Sequence, residues 1–278
     1  SRGLGDVYKR QKNILVNPSQ FFYSLKHQLS NGRVMPAESL SRNRLVHVAN
    51  FTAGNAGDTL LTVVLRDLFD RELFCSNWET VHVHDTVSGS RLKKMTSSKL
   101  TVLGGGGLFL QDTNKNSVSG WQWPITNDQI TQINRLAVFA IGYNRFRGQE
   151  DFDDRFRKSV EHVISKSMFF GVRNTGSVNA LKNYISPELH HKLSFQPCMT
   201  TVLSNIYDFS DVNVKKMVIG LNCAYDRVGL RFGDKLDDKM EAIARAFLKF
   251  SKDYEIRYIA HSPGDELMCR YLQAARVN

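Results

Sequence analysis

The chain has 278 residues, 42% hydrophobic and 23% charged, a composition of ordinary globular proteins that excludes a collagen-like, coiled-coil or wholly disordered chain. Its 37 Lys and Arg against 27 Asp and Glu give a formal charge of +10, and no apolar run approaches the ~20 residues of a membrane-spanning helix. Such a length suits one large domain or two of roughly 100–150 residues.

The charge is uneven. Residues 1–44 hold eight Lys/Arg and two Asp/Glu, leaving 29 against 25 for the rest. Residues 1–43 therefore read as a basic, solvated arm, with contact to a phosphate backbone or anionic surface as the lesser reading. SRGLGDVYKRQKN lacks the apolar core of a signal peptide, which gives no support to secretion. From Arg44 the pattern becomes regular. RLVHVANF (44–51) is a β-rich run, TAGNAGD turns, and TLLTVVLRDLFDREL has helical spacing. ETVHVHD (79–85) is a second strand, with His82 and His84 alternating onto one face. Without a third ligand nearby they read as sheet residues rather than a metal site. SRLKKMTSS is polar, and KLTVLGGGG (99–107) is a third strand ending in four glycines. After a long polar loop, NDQITQINR suits a helix and LAVFAIGYN (136–144) is a fourth strand. DDRFRKSVEHVISKS is an amphipathic helix, MFFGVRN (168–174) a fifth strand, TGSVNALKNYI a helix and KLSFQPCMT (192–200) a sixth strand.

Strands separated by helical segments predict an α/β fold: a doubly wound, Rossmann-like parallel sheet covered on both faces, over residues 44–210. Near Asp211 a second unit begins, with strands KKMVIGLNCA (215–224) and EIRYIAHS (255–262), each followed by a helix. Two β-α units do not make a stable sheet alone. Either they extend the first sheet, or residues 211–278 open a second Rossmann-like domain that is cut short; truncation is the favoured expectation. Cys75, Cys198, Cys223 and Cys269 lie far apart with no zinc spacing and read as reduced, mostly buried thiols.

In a parallel sheet, ligands bind beyond the carboxyl ends of the strands, and the distinctive residues fall there. In NFTAGNAGD (50–58), Gly54 and Gly57 permit a tight turn ahead of a helix N-terminus, and Asp58 is either a cap or a functional acid. It is neither a dinucleotide fingerprint nor an NTPase phosphate loop. Gly104–Gly107 leave room for a ligand or for another backbone, and Trp121 and Trp123 in the following polar loop either stack on sugar rings or anchor the loop. Arg173 ends a hydrophobic strand where its guanidinium suits phosphate or carboxylate, and Ser177 opens the next helix as a cap or as a contact to the same anion. His261 ends another strand ahead of Asp265 and Glu266: a structural histidine with a capping Asp, or a histidine that contacts an anion or moves a proton.

These segments in this order resemble the polysaccharide pyruvyl transferase family: Asn55-Ala56-Gly57-Asp58, Gly104–Gly107, Val172-Arg173-Asn174-Thr175-Gly176-Ser177 and His261-Ser262-Pro263-Gly264-Asp265, with Ala140-Ile141-Gly142 similar to its glycine-containing fourth strand. The resemblance spans about residues 44–275. Two positions depart from the family: Gln196 replaces an acidic residue before Pro197, and one extra residue separates Arg173 from Ser177. The resemblance implies a GT-B-like two-domain fold and transfer of the enolpyruvyl group of phosphoenolpyruvate to two sugar hydroxyls, forming a pyruvate ketal. It implies catalytic roles for His261 and Asp58 and substrate contacts from Arg173, Ser177, Asn55, Gly57, Gly105, Gly106 and Asp265. No metal or other cofactor is expected, since the donor brings its own leaving group. The expected partners are the donor and a sugar or glycan acceptor, not nucleic acid. Bacterial relatives imply the cytoplasm, and a eukaryotic setting the secretory lumen behind an anchor. The competing readings are a GT-B-type nucleotide-sugar glycosyltransferase and a non-catalytic glycan-binding module.

Overall fold

Short strands rich in β-branched residues dominate the first part of the chain. β1 (Leu45–Ala49) is buried at every residue, as a strand covered on both faces must be. This computed structural model describes residues 44–52, 55–73, 77–111, 116–146, 148–209 and 217–276. The basic arm, Gly54 and Cys75 lie outside the described residues. β1 is joined by β2 (Trp78–His82), β3 (Leu100–Leu110), β4 (Leu136–Asn144), β5 (Phe169–Val172) and β6 (Leu193–Phe195). All pair in parallel, in the order β2-β1-β3-β4-β5-β6.

Helices cover both faces, the doubly wound α/β arrangement expected. α1 (Ala56–Leu73) packs Val64, Leu65 and Phe69 with Leu45, Val102 and Ala140 on one face. α2 (Gly89–Ser97), which the polar sequence did not suggest, buries Met95 on the opposite side together with α3 (Asn127–Gln132) and α4 (Asp154–Lys166). α4 shows why it forms: Phe156, Val160, Val163 and Ile164 recur at helical spacing and are buried, and the Asp153 carboxylate caps the Phe156 N–H at 3.1 Å. α5 (Thr175–Lys182) is capped by Asn174, and α6 (Leu203–Ile206) is a single turn.

The chain divides into two units. One runs to Phe51 and includes Asp58–Arg145 and Glu150–Asp208; the other comprises Thr52–Gly57, Phe146–Gln149 and Phe209–Asn278. In the second, β7 (Val218–Leu221) and β8 (Glu255–Tyr258) form a parallel pair of their own instead of extending the six-stranded sheet. α7 (Val228–Phe232), α8 (Leu236–Phe250) and α9 (Leu267–Ala274) accompany them around a small core of Cys223, Tyr225, Met240, Ala244, Met268 and Leu272. Of the three described cysteines only Cys223 is buried; Cys198 and Cys269 are partly exposed, and all three are free thiols. No described helix is long and apolar enough to cross a membrane.

Candidate active site

The strand order has a functional consequence. The chain leaves β1 toward β2 on one side and then enters β3 on the other, so the switch point, where parallel sheets of this kind take their ligands, falls between the carboxyl ends of β1 and β3. The glycine run lies at that point, and its residues are glycine for more than one reason. A Cβ on Gly104 would stand 2.2 Å from the Phe139 carbonyl oxygen, so this position serves close backbone packing. Gly105 and Gly106 adopt φ of +62° and +99°. A Cβ on Gly106 would lie 3.5 Å from Asp58 Oδ1, and one on Gly107 1.9 Å from Asn144 Nδ2. The β3–β4 register shifts between Gly106 and Phe109, and β4 shifts against β5 between Val138 and Ile141, where Ala140 holds φ of +53°. The backbone reading of the run therefore holds at Gly104, while Gly106 and Gly107 face protein side chains.

Arg173 follows β5 and lies across this bare backbone. A Cβ on Gly142 would meet its Nε at 2.1 Å, and one on Gly107 its Nη2 at 3.4 Å. The guanidinium Nη2 donates to Asn144 Oδ1 at 2.8 Å, so the ends of β3, β4 and β5 together hold one cation.

Asp58 stands in the first turn of α1 but is not its cap. Asn55 fills that part, its Oδ1 accepting the Gly57 N–H at 2.9 Å. The Asp58 carboxylate instead accepts from Asn50 Nδ2 at 2.7 Å. Burial raises its proton affinity; the Asn50 bond and the charges of His84 and Arg173 oppose this without cancelling it, and its pKa stays above the usual carboxylate value. Ser177 is buried in the first turn of α5, where Asn174 Oδ1 caps its N–H at 2.7 Å. Its hydroxyl accepts the Tyr143 N–H at 3.0 Å and so fastens the helix to the end of β4.

Of the two readings of the Trp pair the structure selects one, and the reading of His84 as a sheet residue changes. Trp121 and Trp123 are fully buried. Trp121 packs on Phe109 at 5.0 Å and donates its indole N–H to Ser159 Oγ at 2.9 Å, so the pair anchors its loop rather than stacking on a sugar. The anchored loop presents Gln122, whose Oε1 lies 2.9 Å from His84 Nε2. His84 in turn lies beyond the strand. β2 ends at His82 because its partner β1 ends at Ala49, and the Val83 N–H closes the ladder on the Ala49 carbonyl at 2.9 Å. The alternation of VHVHD hid this; the turn signals after Asn50 were the clue that β2 would lose its partner there. The two imidazoles do remain neighbours, with ring centroids 5.0 Å apart.

In the second unit His261 is exposed just beyond β8, and the buried Asp265 organises the loop that carries it. One Asp265 oxygen accepts the Tyr225 N–H at 3.0 Å; the other accepts those of His261 at 3.1 Å and Ser262 at 3.0 Å. Burial favours its protonation, yet these donors outweigh burial and hold the carboxyl below its ordinary value. The His261 carbonyl accepts the Ala56 N–H at 3.2 Å within the same unit, next to Asn55 and Gly57.

A family model described as polysaccharide pyruvyl transferase matches residues 15–275, nearly the whole chain. No curated protein and no solved structure matches it significantly.

Proposed function

The chain belongs to the polysaccharide pyruvyl transferase family, and we propose that it moves the enolpyruvyl group of phosphoenolpyruvate onto two hydroxyls of a sugar or glycan, closing a pyruvate ketal. The observation that carries this reading is the Arg173 guanidinium, laid over Gly142 and Gly107 at the carboxyl end of the sheet. A cation seated on bare backbone presents its donor fork to an anion, and phosphoenolpyruvate carries two anionic groups.

In the reaction proposed, the methylene carbon of the donor takes a proton and its C2 becomes electrophilic. One acceptor hydroxyl adds there and loses its proton; the second displaces phosphate and loses its own. One proton ends in the new methyl group and one on the departing phosphate. Arg173 is assigned to the donor's carboxylate or phosphate, and His261 to phosphate contact or proton donation. Asp58 takes the acceptor proton, while the amides of Gly57, Gly105 and Gly106 offer donors to the substrates. Asn55, Ser177 and Asp265 accept backbone N–H groups and so hold the segments that carry these groups, with the amide of Asn55 and the hydroxyl of Ser177 also assigned to the substrates. The donor carries its own leaving group, so this scheme needs no nucleotide.

Arg173→Ala and His261→Ala are expected to lower phosphoenolpyruvate-dependent phosphate release by about a hundredfold or more, with β-galactosides among the acceptors tested. Wild-type turnover in both variants would overturn the assignment. Thermal stabilisation by nucleoside diphosphates but not by phosphoenolpyruvate would select a nucleotide-sugar transferase instead.

A further inference from the structure

Asn144 has no part in the scheme above, although it lies against the cation on which that scheme rests. β3 is buried from Thr101 to Leu110 except at Gly107. Asn144, the last residue of β4, is partly exposed, and so is Arg173 just past β5. Both side chains end over Gly107: the Cβ that this residue lacks would stand 1.9 Å from Asn144 Nδ2 and 3.4 Å from Arg173 Nη2. Solvent therefore reaches the carboxyl edge of the sheet where the three meet. The orientation of the amide follows from its neighbour. A guanidinium only donates, so the amide oxygen must face Nη2, and it does so at 2.8 Å. Nδ2 is then the end turned to Gly107, a group with two N–H donors and no accepting lone pair. Among the described residues no carboxylate forms an ion pair with Arg173. Two donor groups thus stand side by side at a partly exposed edge, and the chemistry that complements them is an oxyanion.

Resting on the phosphoenolpyruvate reading above, we propose that Asn144 is a substrate-binding residue: its Nδ2 donates to one oxygen of the anionic group whose other oxygen takes the Arg173 guanidinium. That group is a carboxylate or a phosphate, either of which offers two oxygens to two adjacent donors. Oδ1 meanwhile holds Nη2, so a single amide fixes the guanidinium and extends its donor set. Gly107 is what admits the amide. Unlike Gly105 and Gly106 it lies outside the left-handed region, and what a Cβ there would displace is the tip of Asn144.

The test watches the amide itself. In protein labelled with 15N at asparagine, the Asn144 side-chain signal is assigned by its loss in Asn144→Ala. It is then followed by NMR during titration with phosphoenolpyruvate, with pyruvate and with inorganic phosphate. One Asn144 amide proton is expected to move downfield as phosphoenolpyruvate binds, and the smaller anion that reproduces the movement identifies the group held. Asn144→Ala and Gly107→Ala are each expected to raise the KM for phosphoenolpyruvate by about tenfold or more, the loss of one hydrogen bond to a charged group, with kcat changing less. An Asn144 signal unmoved by all three anions would overturn the proposal even if KM rose, since the side chain would then only steady Arg173. An unchanged KM in Asn144→Ala would overturn it too. Movement with pyruvate or inorganic phosphate but not with phosphoenolpyruvate would uphold the anion seat and remove the donor reading.

Discussion

Arg173 and the glycines beneath it depend on each other. Gly142→Ala places a methyl group where the Arg173 Nε now lies, and the atom it meets belongs to a flexible side chain, not to backbone. The expected outcome is displacement of the guanidinium: the KM for phosphoenolpyruvate rises about tenfold or more, while the urea midpoint barely moves. An unchanged KM would mean that the guanidinium does not work from this position. A second residue-scale prediction concerns His47, which is fully buried on β1 between a guanidinium and a glycine carbonyl. Arg66 Nε donates to its Nδ1 at 3.2 Å, and its Nε2–H donates to the Gly104 carbonyl at 2.7 Å. Burial, helped by Arg66, holds its pKa down to about 3, so the folded state keeps it neutral. The unfolded chain binds a proton there below its ordinary pKa of about 6.5. Stability is therefore undiminished above about pH 6.5 and falls as pH drops toward 3, with a slope of up to about 1.4 kcal/mol per pH unit from this group. Urea unfolding between pH 4 and 7 is expected to show this slope, and a His47→Gln protein a shallower one. At this scale the sequence placed Arg173 and His261 beyond strand ends and Asp58 at a helix start, as the structure has them. It did not single out Asn144, and it set His84 in a strand that stops at His82, since both depend on register and on where a neighbouring strand ends.

Among the elements, β3 and β4 shape the carboxyl edge of the sheet by breaking their own regularity. The left-handed Gly105 and Gly106 and the strained Ala140 shift the ladder where Asp58, Asn144 and Arg173 converge. Gly104 differs from Gly142 because the obstruction is the backbone of Phe139. Gly104→Ala is expected to cost about 1–3 kcal/mol in urea unfolding, in contrast to Gly142→Ala. Equal costs for the two would contradict this division of labour. Most strands were legible from their hydrophobic runs and turn residues. α2 was not, because GSRLKKMTS is short and polar and buries only Met95. The Trp loop left two readings open because its composition is polar; the structure decides for anchoring, since Trp121 finds Ser159 and packs on Phe109, and both indoles belong to the core that holds Phe156.

For the whole molecule, the doubly wound arrangement followed from alternating strands and helices, but the strand order and the grouping of residues 52–57 and 146–149 with the later unit did not, since contacts rather than composition define them. The second unit hangs on few buried side chains, and Asp265 serves three of its backbone donors. Asp265→Ala leaves those donors unpaired, at about 1–3 kcal/mol for each that stays dry. Amide exchange at Tyr225, His261 and Ser262 is expected to accelerate by about tenfold or more, with the amides of β1 and β3 unaffected. Uniform acceleration across both units would show instead that they open together. The central claim, that this transferase uses phosphoenolpyruvate as donor, is tested most directly by incubating the protein with phosphoenolpyruvate and a panel of glycans and following phosphate and product mass together. The account predicts phosphate release matched by a glycan heavier by one pyruvate less one water, both lost in Arg173→Ala. Phosphate release without that product, or that product formed equally by Arg173→Ala, would contradict it.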